Sequence, residues 1–338
     1  MKIRVLALIT LITILLLSLP MNTYADAPNL EEIFEKKVHQ TADGYKLNYR
    51  LYLPDDYSTD KKYPVILFFH GAGEKENDNT KQLRAGLPNM FTYSNGKVQE
   101  CIVIAPQCPL LTPDTAKWVN VPNWVDGCSY STESIPESEH MKAVVDLLGV
   151  IRSDYSTDES RWYVTGLSMG GFATWDIIVR HPEIWAAAAP LCGGADYRKA
   201  EVVKDLPIWT FHGTADPTVP YTGTEKMVNA LKELGSTTIK YTPMDNFQHN
   251  IWSAVYSNPL LYSWMFAQVK PAAAVDSNTE TQPEATETVA NDSAEATDTQ
   301  TDTTPVEEKG CGSAVGIGAA AVMATAGVAV LATRKKED

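Results

Sequence analysis

The stretch "VTGLSMGGFATW", Val164 to Trp175, places Ser168 in the pattern G-x-S-x-G. A β-branched run enters the pattern and a helix-compatible run leaves it. A tight turn between a strand and a helix needs glycines, because β-carbons at those positions would clash with neighbouring backbone, and it lifts the serine hydroxyl out of the sheet. The alternative is that Ser168 is the middle of a flexible glycine-rich loop. The rest of the chain must decide between the two.

Apolar runs that resemble buried strands alternate with helical patterns over the central part of the chain. This alternation predicts one α/β domain from Asp26 to Lys270, a mainly parallel twisted sheet with helices on both faces. In such sheets, active residues collect on loops at the carboxyl ends of the strands. The strand-like runs are "GYKLNYRLYLP", which alternates as an exposed antiparallel strand would, and "YPVILFFHGAGE", "ECIVIAPQCP", "RWYVTG", "AAAAPLCGG", "PIWTFHGTAD" and "TTIKYTPM". The helical patterns are "SEHMKAVVDLLGVIRSDY", "MGGFATWDIIVRHP" and "GTEKMVNALKELG".

The amino-terminal segment predicts export. Two basic residues precede an apolar run from Val5 to Leu19, and the small-residue pattern Thr23-Tyr24-Ala25 follows. This layout is that of a signal peptide over residues 1–25, cleaved after Ala25, with an uncleaved anchor as the alternative. The mature protein is therefore expected to be exported.

The carboxyl-terminal segments predict a spacer and a membrane tail. Residues 271–309 are rich in Thr and acidic residues and contain no aromatic residue, which predicts a disordered linker. Residues 310–338 contain an uncharged span followed at once by Arg334, Lys335 and Lys336. As a helix, Ala314 to Thr333 would be about 30 Å long, the thickness of a hydrocarbon core. We therefore expect a surface anchor or sorting tail, with a buried soluble helix as the alternative and Cys311 as a candidate processing or lipidation site.

The charge of the chain limits its partners. The formal net charge is −14, and the folded domain keeps an acidic excess when the terminal segments are set aside. An acidic surface disfavours nucleic acid and other anionic polymers as partners. We therefore expect no nucleic-acid binding, and the sequence leaves the oligomeric state open.

A serine nucleophile needs a base, and the base needs an orienting acid. After a G-x-S-x-G turn of this kind the partners follow in the order serine, acid, histidine. Asp216 follows an apolar strand and sits in a loop stiffened by prolines, and His249 follows the next strand. Asp196 and Asp245 are the rival acids. The predicted catalytic residues are therefore Ser168, Asp216 and His249.

The other histidines fit different roles. His212 comes just before a glycine turn, where it would hold the loop of the acid, and His70 lies beside the region that should bind the oxyanion. His140 and His181 lie on helical stretches, and His39 precedes the core.

The oxyanion of the reaction should be bound by two backbone amides. One belongs to the residue after the nucleophile and the other to the loop after the first buried parallel strand. This predicts the amides of Met169 and Ala72, with Gly71 or Gly73 in place of Ala72. The alternative is a bare glycine-rich turn.

Several motifs occur together in a characteristic order and spacing: "HGAGEKENDN", "APQCP", "GLSMGG", "HGTADPTVP" and "QHNIW". Together they resemble secreted bacterial α/β-hydrolase esterases, the dienelactone-hydrolase-like and feruloyl-esterase-like group that is related to prolyl oligopeptidases and linked to plant-polysaccharide breakdown. The resemblance covers roughly Leu47 to Gln268. It implies a Ser168–Asp216–His249 triad and hydrolysis of carboxylic esters. It fixes neither the acyl group nor the alcohol.

Tryptophans mark the predicted substrate surface. The loop from Gln107 to Pro136 is long for a compact domain, which often indicates a functional loop, and it carries Trp118 and Trp124. Trp252 lies three residues after His249. Indoles near a cleft suit sugar rings or an aromatic acyl group, so a small ester or an acylated oligosaccharide is the expected substrate. The alternative is that these tryptophans pack the loop onto the core. A prolyl-type peptidase and a lipase remain the alternative activities, with a surface-binding protein on an inactive scaffold as the non-enzyme alternative.

The sequence predicts neither a metal site nor a cofactor, because the histidines sit in separate loops and the cysteines lack paired spacing. Cys108 and Cys128 flank the long loop and could form a disulfide after export. Cys101 and Cys192 lie in or just after strand-like runs and are expected to be buried thiols.

Overall fold

A run of seven buried residues, Tyr63–Phe69, forms a central strand of an eight-stranded sheet. The structure, a computed structural model, describes residues 28–124 and 130–271. The strands are β1 (Glu35–Gln40), β2 (Lys46–Tyr52), β3 (Tyr63–Phe69), β4 (Ile102–Pro106), β5 (Thr157–Leu167), β6 (Ala187–Leu191), β7 (Ile208–Gly213) and β8 (Ile239–Met244). Their order across the sheet is β1-β2-β4-β3-β5-β6-β7-β8. β2 pairs antiparallel with both β1 and β4, whereas every pairing from β4 through β8 is parallel.

Successive side chains of β3 enter two different cores. Val65, Leu67 and Phe69 belong to the core on one face of the sheet, and Ile66 and Phe68 belong to the core on the other. Alternate residues of a strand point to opposite faces, so a strand covered on both sides must be apolar throughout. This is why the sequence of β3 has no polar alternation.

Helices cover both faces of the sheet. The first core includes side chains from three of them and the second core includes side chains from the other four. The first group is α3 (Glu139–Asp154), α4 (Met169–Arg180) and α5 (Thr222–Glu233). The second group is α1 (Leu30–Ile33), α2 (Leu87–Tyr93), α6 (Trp252–Tyr256) and α7 (Pro259–Met265).

Helix α3 shows how the sequence sets these elements. Ser138 caps its amino end, where the hydroxyl accepts a hydrogen bond from the Met141 amide. Apolar residues then recur on the face that packs against the sheet, including Val144, Leu147 and Ile151. The Ser138 hydroxyl also donates to the carbonyl of Trp118, so the cap fixes the long loop as well as the helix.

The predicted fold class is confirmed, and each predicted strand run overlaps an observed strand. β1 (Glu35–Gln40) was not predicted, because "EKKVHQ" is mostly charged or polar and most of its residues are exposed. It lies at the edge of the sheet, where one side of the strand faces solvent. The short helices α1, α2, α6 and α7 were not predicted either.

The described residues belong to the first of two units into which the chain divides, Met1–Val275 and Asp276–Asp338. The predicted signal peptide, the predicted tail with Cys311, nearly all of the predicted linker and Cys128 lie outside the described residues. Over residues 28–124 and 130–271, no helix has the length and apolar character needed to cross a membrane.

Candidate active site

Ser168 lies on the turn between β5 and α4. Its φ and ψ angles are 56° and −116°, a region that residues with a β-carbon rarely adopt. The Ser168 amide donates to the carbonyl of Leu191 at 3.0 Å, which ties the turn to β6. Strain of this kind costs on the order of 1–3 kcal/mol and persists only where surrounding structure enforces it. The turn is therefore a fixed element, and the flexible-loop alternative does not describe it.

Two glycines allow three backbone segments to meet at this turn. A β-carbon on Gly166 would lie 2.4 Å from the carbonyl oxygen of Gly170. A β-carbon on Gly170 would lie 2.1 Å from the carbonyl oxygen of Phe69, at the end of β3. Neither approach is possible for a larger residue, so the glycines of the motif are needed for close contact between β3, β5 and α4.

Three side chains from distant parts of the chain form a hydrogen-bonded line. Nε2 of His249 lies 2.8 Å from Oγ of Ser168, and Nδ1 of His249 lies 2.6 Å from Oδ2 of Asp216. In the neutral imidazole that fits both contacts, Nδ1–H donates to the carboxylate and Nε2 accepts the serine proton. The Asp216 side chain is fully buried, whereas the His249 side chain is 18% exposed. The structure thus brings together the three residues predicted to be catalytic.

Asp216 is held as a buried carboxylate. Its Oδ1 accepts the amides of Thr218 and Val219 at 2.8 and 2.9 Å. Burial acts to raise the pKa of Asp216, but hydrogen bonds from His212, His249 and these two amides outweigh it and hold the pKa well below its ordinary value. The carboxylate therefore stays ionised and can stabilise a proton on His249.

The rival acids lie elsewhere. The buried carboxylate of Asp196 accepts hydrogen bonds from the Thr132 amide and hydroxyl at one oxygen and from Arg198 at the other. Asp245 is exposed in the loop after β8. The proline-containing loop that favoured Asp216 in the sequence therefore carries the carboxylate that contacts His249.

The predicted oxyanion donors lie on the two segments that meet at the turn. Met169 is the first residue of α4, where amides have no acceptor within the helix. Gly71 packs against the residue before the serine, because a β-carbon on it would lie 2.7 Å from the Leu167 side chain. Ala72, which follows Gly71, is exposed and begins a short 3-10 turn. Met169 and the Gly71–Ala72 segment thus follow the carboxyl ends of the neighbouring strands β5 and β3, and their role as oxyanion donors stays a prediction.

His70 fixes the loop that carries Gly71 and Ala72. Nδ1 of His70 lies 2.6 Å from the carbonyl oxygen of Gly71, and Nε2 lies 2.9 Å from the amide of Cys108. One contact needs a donor and the other needs an acceptor, so the neutral imidazole satisfies both. Complete burial lowers the pKa of His70 to about 4, which keeps this neutral form at ordinary pH. The sequence placed His70 beside the oxyanion region but did not indicate this role.

The three predicted substrate tryptophans have different environments. Trp118 is fully buried, and its indole nitrogen donates to the carbonyl of His70 at 3.3 Å. The prediction that Trp118 contacts substrate is therefore wrong, because its side chain is buried and binds the backbone of His70. Trp124 is half-buried against Phe172, with ring centroids 5.3 Å apart. Trp252 is half-buried and stands edge-on to the His249 ring, with centroids 5.7 Å apart, so it borders the hydrogen-bonded line.

The cysteines of the described residues are buried thiols. Cys101, Cys108 and Cys192 are free and buried, and burial raises the pKa of Cys108 to about 12. The pairing of Cys108 with Cys128 stays a prediction, since Cys128 lies outside the described residues. In the described part of the chain, no group of three or more His, Cys, Asp or Glu residues has the arrangement of a metal site.

Ser168 follows β5, Asp216 follows β7 and His249 follows β8. This order of serine, acid and histidine on a mainly parallel sheet is that of the α/β-hydrolases. The strand-to-helix turn under Ser168 is the nucleophile elbow of that fold, and the chain is therefore an α/β-hydrolase. Residues 57–257 match the phospholipase/carboxylesterase family. The chain belongs to this family.

Similar proteins include esterases. An endo-1,4-beta-xylanase/feruloyl esterase of Xylanibacter ruminicola is 30% identical over 194 residues, which are 55% of this chain and 24% of that protein. A bifunctional acetylxylan esterase/xylanase of Neocallimastix patriciarum is 28% identical over 95 residues, 28% of this chain and 14% of that protein. The crystal structure of a thermostable esterase matches with a TM-score of 0.63 and 33% identity, covering 71% of this chain and 64% of that one. The chain spans about a quarter or less of the length of these two curated relatives.

Replacing Gly170 by alanine should lower both stability and activity, because the new β-carbon would push the end of β3 away from the turn. We expect the free energy of unfolding to fall by about 1–3 kcal/mol, as for other overpacked sites. A displacement of the nucleophile on the order of 1 Å should lower kcat/KM by about 100-fold. Urea unfolding and hydrolysis of p-nitrophenyl acetate measure the two effects.

Gly149→Ala is the matched control for this substitution. Gly149 is exposed on α3, and a β-carbon there would meet nothing within 4 Å. Alanine in a helix interior is favoured over glycine by about 0.5–1 kcal/mol, so this variant should be slightly more stable and equally active. If Gly170→Ala had the same stability and activity as Gly149→Ala, the close backbone contact at Gly170 would not be needed for the fold or the site.

His70→Asn should change how stability depends on pH. The pKa of His70 is about 4 in the folded protein and about 6.5 when exposed, so the unfolded chain takes up the proton first as the pH falls. The stabilisation is therefore complete above pH 6.5 and is lost as the pH falls towards 4. Relative to the uncharged variant, wild type should lose roughly 2–3 kcal/mol between pH 7 and pH 4.5.

The measurement is the difference in free energy of unfolding between wild type and His70→Asn at several pH values. Burial raises the pKa of Asp176 to about 6, which has the opposite effect on stability over this range. Asp176 is present in both proteins, so its contribution cancels in the difference. A difference that stayed constant with pH would show that His70 is not held neutral by burial.

Proposed function

We propose that this protein is an exported serine carboxylesterase that cleaves short-chain or aryl esters through an acyl-enzyme on Ser168. The observation that carries the proposal is the hydrogen-bonded line from Oγ of Ser168 through His249 to Asp216, with contacts of 2.8 and 2.6 Å. These are the distances at which a general base can take the proton of its nucleophile.

Acylation begins when His249 removes the hydroxyl proton of Ser168 as Oγ attacks the carbonyl carbon of the ester. The carbonyl oxygen becomes an oxyanion, which accepts hydrogen bonds from the amides of Met169 and Ala72. Asp216 stays ionised and stabilises the imidazolium of His249 without taking its proton. The tetrahedral intermediate then expels the alcohol, whose oxygen receives the proton from Nε2 of His249, and the acyl group remains on Oγ.

Deacylation repeats these steps with water in place of the serine. His249 removes a proton from water, and the resulting hydroxide attacks the acyl carbon. The second tetrahedral intermediate expels Oγ, which takes the proton back from His249. A carboxylic acid leaves, and the enzyme returns to its starting state without a cofactor or a metal.

We propose acyl groups on plant polysaccharide fragments, such as acetyl or feruloyl esters on xylan, as the substrate. The feruloyl esterase and acetylxylan esterase activities in the names of the two relatives support this class. Trp252, which borders the His249 ring, offers an aromatic surface for a sugar ring or an aryl group. A prolyl-type peptidase is the alternative, but a peptide amide needs stronger protonation of its leaving group than an ester does. A lipase is the other alternative.

Initial rates with a panel of acetyl, butyryl, palmitoyl and methyl ferulate esters, beside a Gly-Pro anilide, test this proposal. We expect the acetyl, butyryl or ferulate esters to be preferred. Ser168→Ala should fold normally and lose at least about 10³-fold in kcat, and Asp216→Asn and His249→Ala should each lose several orders of magnitude. Preference for palmitoyl would indicate a lipase, faster anilide cleavage would indicate a peptidase, and near-normal activity of Ser168→Ala would overturn the mechanism.

We also propose that the catalytic domain acts outside the cell, at the surface or held by a membrane tail. The signal-peptide pattern of residues 1–25 and the apolar span with its basic end at residues 310–338 support this location. We expect the mature protein to begin at Asp26 and to fractionate with the cell envelope or the medium. Mass spectrometry of both termini measures this, and it also shows whether peptides beyond Cys311 are retained. A protein found in the cytoplasm with residues 1–25 intact would contradict the proposal.

A further inference from the structure

Two histidines contact the same oxygen of Asp216. Oδ2 lies 2.6 Å from Nδ1 of His249 and 3.2 Å from Nε2 of His212. His212 is fully buried at the end of β7, so it reaches neither solvent nor substrate. The mechanism above does not use it.

The neighbours of His212 fix the position of one of its protons. Nε2 lies between two atoms that can only accept, the carbonyl oxygen of Val219 at 2.9 Å and Oδ2 of Asp216 at 3.2 Å. A bare lone pair on Nε2 would face both oxygens without a hydrogen, a costly arrangement inside a protein. Nε2 therefore carries a proton, which it donates to the Val219 carbonyl, and the same nitrogen lies 3.2 Å from Oδ2 of Asp216.

The other ring nitrogen connects His212 to the base of the nucleophile elbow. Nδ1 lies 2.8 Å from the hydroxyl of Thr224 on α5, and that hydroxyl lies 2.8 Å from the carbonyl oxygen of Gly193. The backbone of Gly193 packs on Gly171, three residues after the nucleophile, because a β-carbon on Gly193 would lie 2.4 Å from the Gly171 carbonyl carbon. The orientation of the ring is thus set from both sides.

We propose that His212 is a positioning residue of the active site, which holds Oδ2 of Asp216 in line with His249 and shares the negative charge of that carboxylate. This inference rests on the proposed function and extends it to a residue that does not touch the substrate. It also gives Thr224 a role, since its hydroxyl orients the His212 ring.

A shared charge has a consequence for the pH dependence of activity. Among the described residues, the titratable groups near the Asp216 carboxylate are His212 from β7, His249 from the loop after β8 and the Cys192 thiol after β6. Burial raises the pKa of this thiol, and the charge of Asp216 adds to the rise. When His212 no longer donates, the carboxylate interacts more strongly with His249. The proton that the base takes up during the reaction is then held more tightly, so the acidic limb of the activity profile should move to higher pH.

The experiment compares His212→Asn with His212→Gln in the full chain. The amide nitrogen of glutamine can reach about the position of Nε2 and keep the donor to Asp216, whereas that of asparagine reaches only the position of Nδ1. We expect His212→Asn to move the acidic limb of the kcat/KM profile to higher pH by roughly 0.5–1 unit and to lower kcat about 10-fold or more at pH 7. KM should stay within about twofold of wild type, and His212→Gln should restore most of both effects.

Thr224→Val keeps the inference testable if His212→Asn does not fold. It removes the hydroxyl that orients the ring and leaves the donor in place, so it should shift the same limb in the same direction by a smaller amount. Tm of each variant measures the purely structural effect. A role limited to packing would lower Tm and the amount of active enzyme but leave the limb where it is in wild type.

The outcomes separate this inference from the proposed function. An unchanged acidic limb in folded His212→Asn, with wild type active and Ser168→Ala inactive, would overturn the role of His212 alone. Activity that survives in Ser168→Ala would overturn the proposed function instead. A glutamine variant as impaired as the asparagine variant, with the same shifted limb, would contradict the assignment of the Nε2 donor.

Discussion

The close contact of three backbone segments beneath Ser168 is the constraint on which the site depends. The end of β3 at Phe69 pairs with Gly166 of β5, and Gly170 at the start of α4 packs on the same carbonyl. The nucleophile and the oxyanion loop are therefore positioned by one contact. Glycine is required there because no other residue lets the segments approach so closely. The strained backbone conformation of Ser168 persists because the sheet register and this contact together allow the turn no other conformation.

Burial has opposite effects on the pKa values of two polar side chains of the site, since it lowers that of His70 and acts to raise that of Asp216. Burial lowers the pKa of His70, and the neutral ring suits its two partners, the Gly71 carbonyl and the Cys108 amide. Asp216 is buried with donors around both oxygens, so the charged form fits and its pKa falls as well. At Asp216 the hydrogen-bond donors outweigh burial and keep the charged form, whereas at His70 burial itself keeps the neutral form. The loop and the carboxylate are consequently fixed before substrate arrives.

The fold and the three side chains of the line could be predicted because each depends on a local pattern and a rule of chain order. Continuous apolar runs indicate strands covered on both faces, and a G-x-S-x-G turn on such a sheet requires a later acid and then a histidine. The confirmed fold class follows from this. The predicted partner of His249 was chosen over Asp196 from the loop prolines and the helix that follows, and only the structure shows that Asp196 binds Thr132 and Arg198 instead.

The features that the sequence did not reveal depend on contacts between distant segments. The residue type of Trp118 suits a binding surface, but the side chain is buried. Its indole nitrogen donates to the carbonyl of His70, which lies 48 positions away in the sequence. β1 has the composition of a surface segment, and it forms a strand because the edge of β2 offers free backbone groups. His70 gave no sign of its role because its partner amide belongs to Cys108, beyond the next strand.

The site therefore has a buried side, which carries Asp216 and His70, and a solvent-facing side, which carries Ala72, Trp252 and His249. Asp216 and His70 are buried and hydrogen-bonded behind the reacting atoms, whereas Ala72, Trp252 and half-buried His249 border the solvent. Charge that develops during the reaction falls on groups whose partners are already in place, so little reorganisation is needed when the oxyanion and the imidazolium form. The solvent-facing side is built from separate loops after different strands, so its shape can vary without disturbing the backbone contact under Ser168. Under the proposed function, the buried side chains would set the type of reaction and the exposed loops would select the ester.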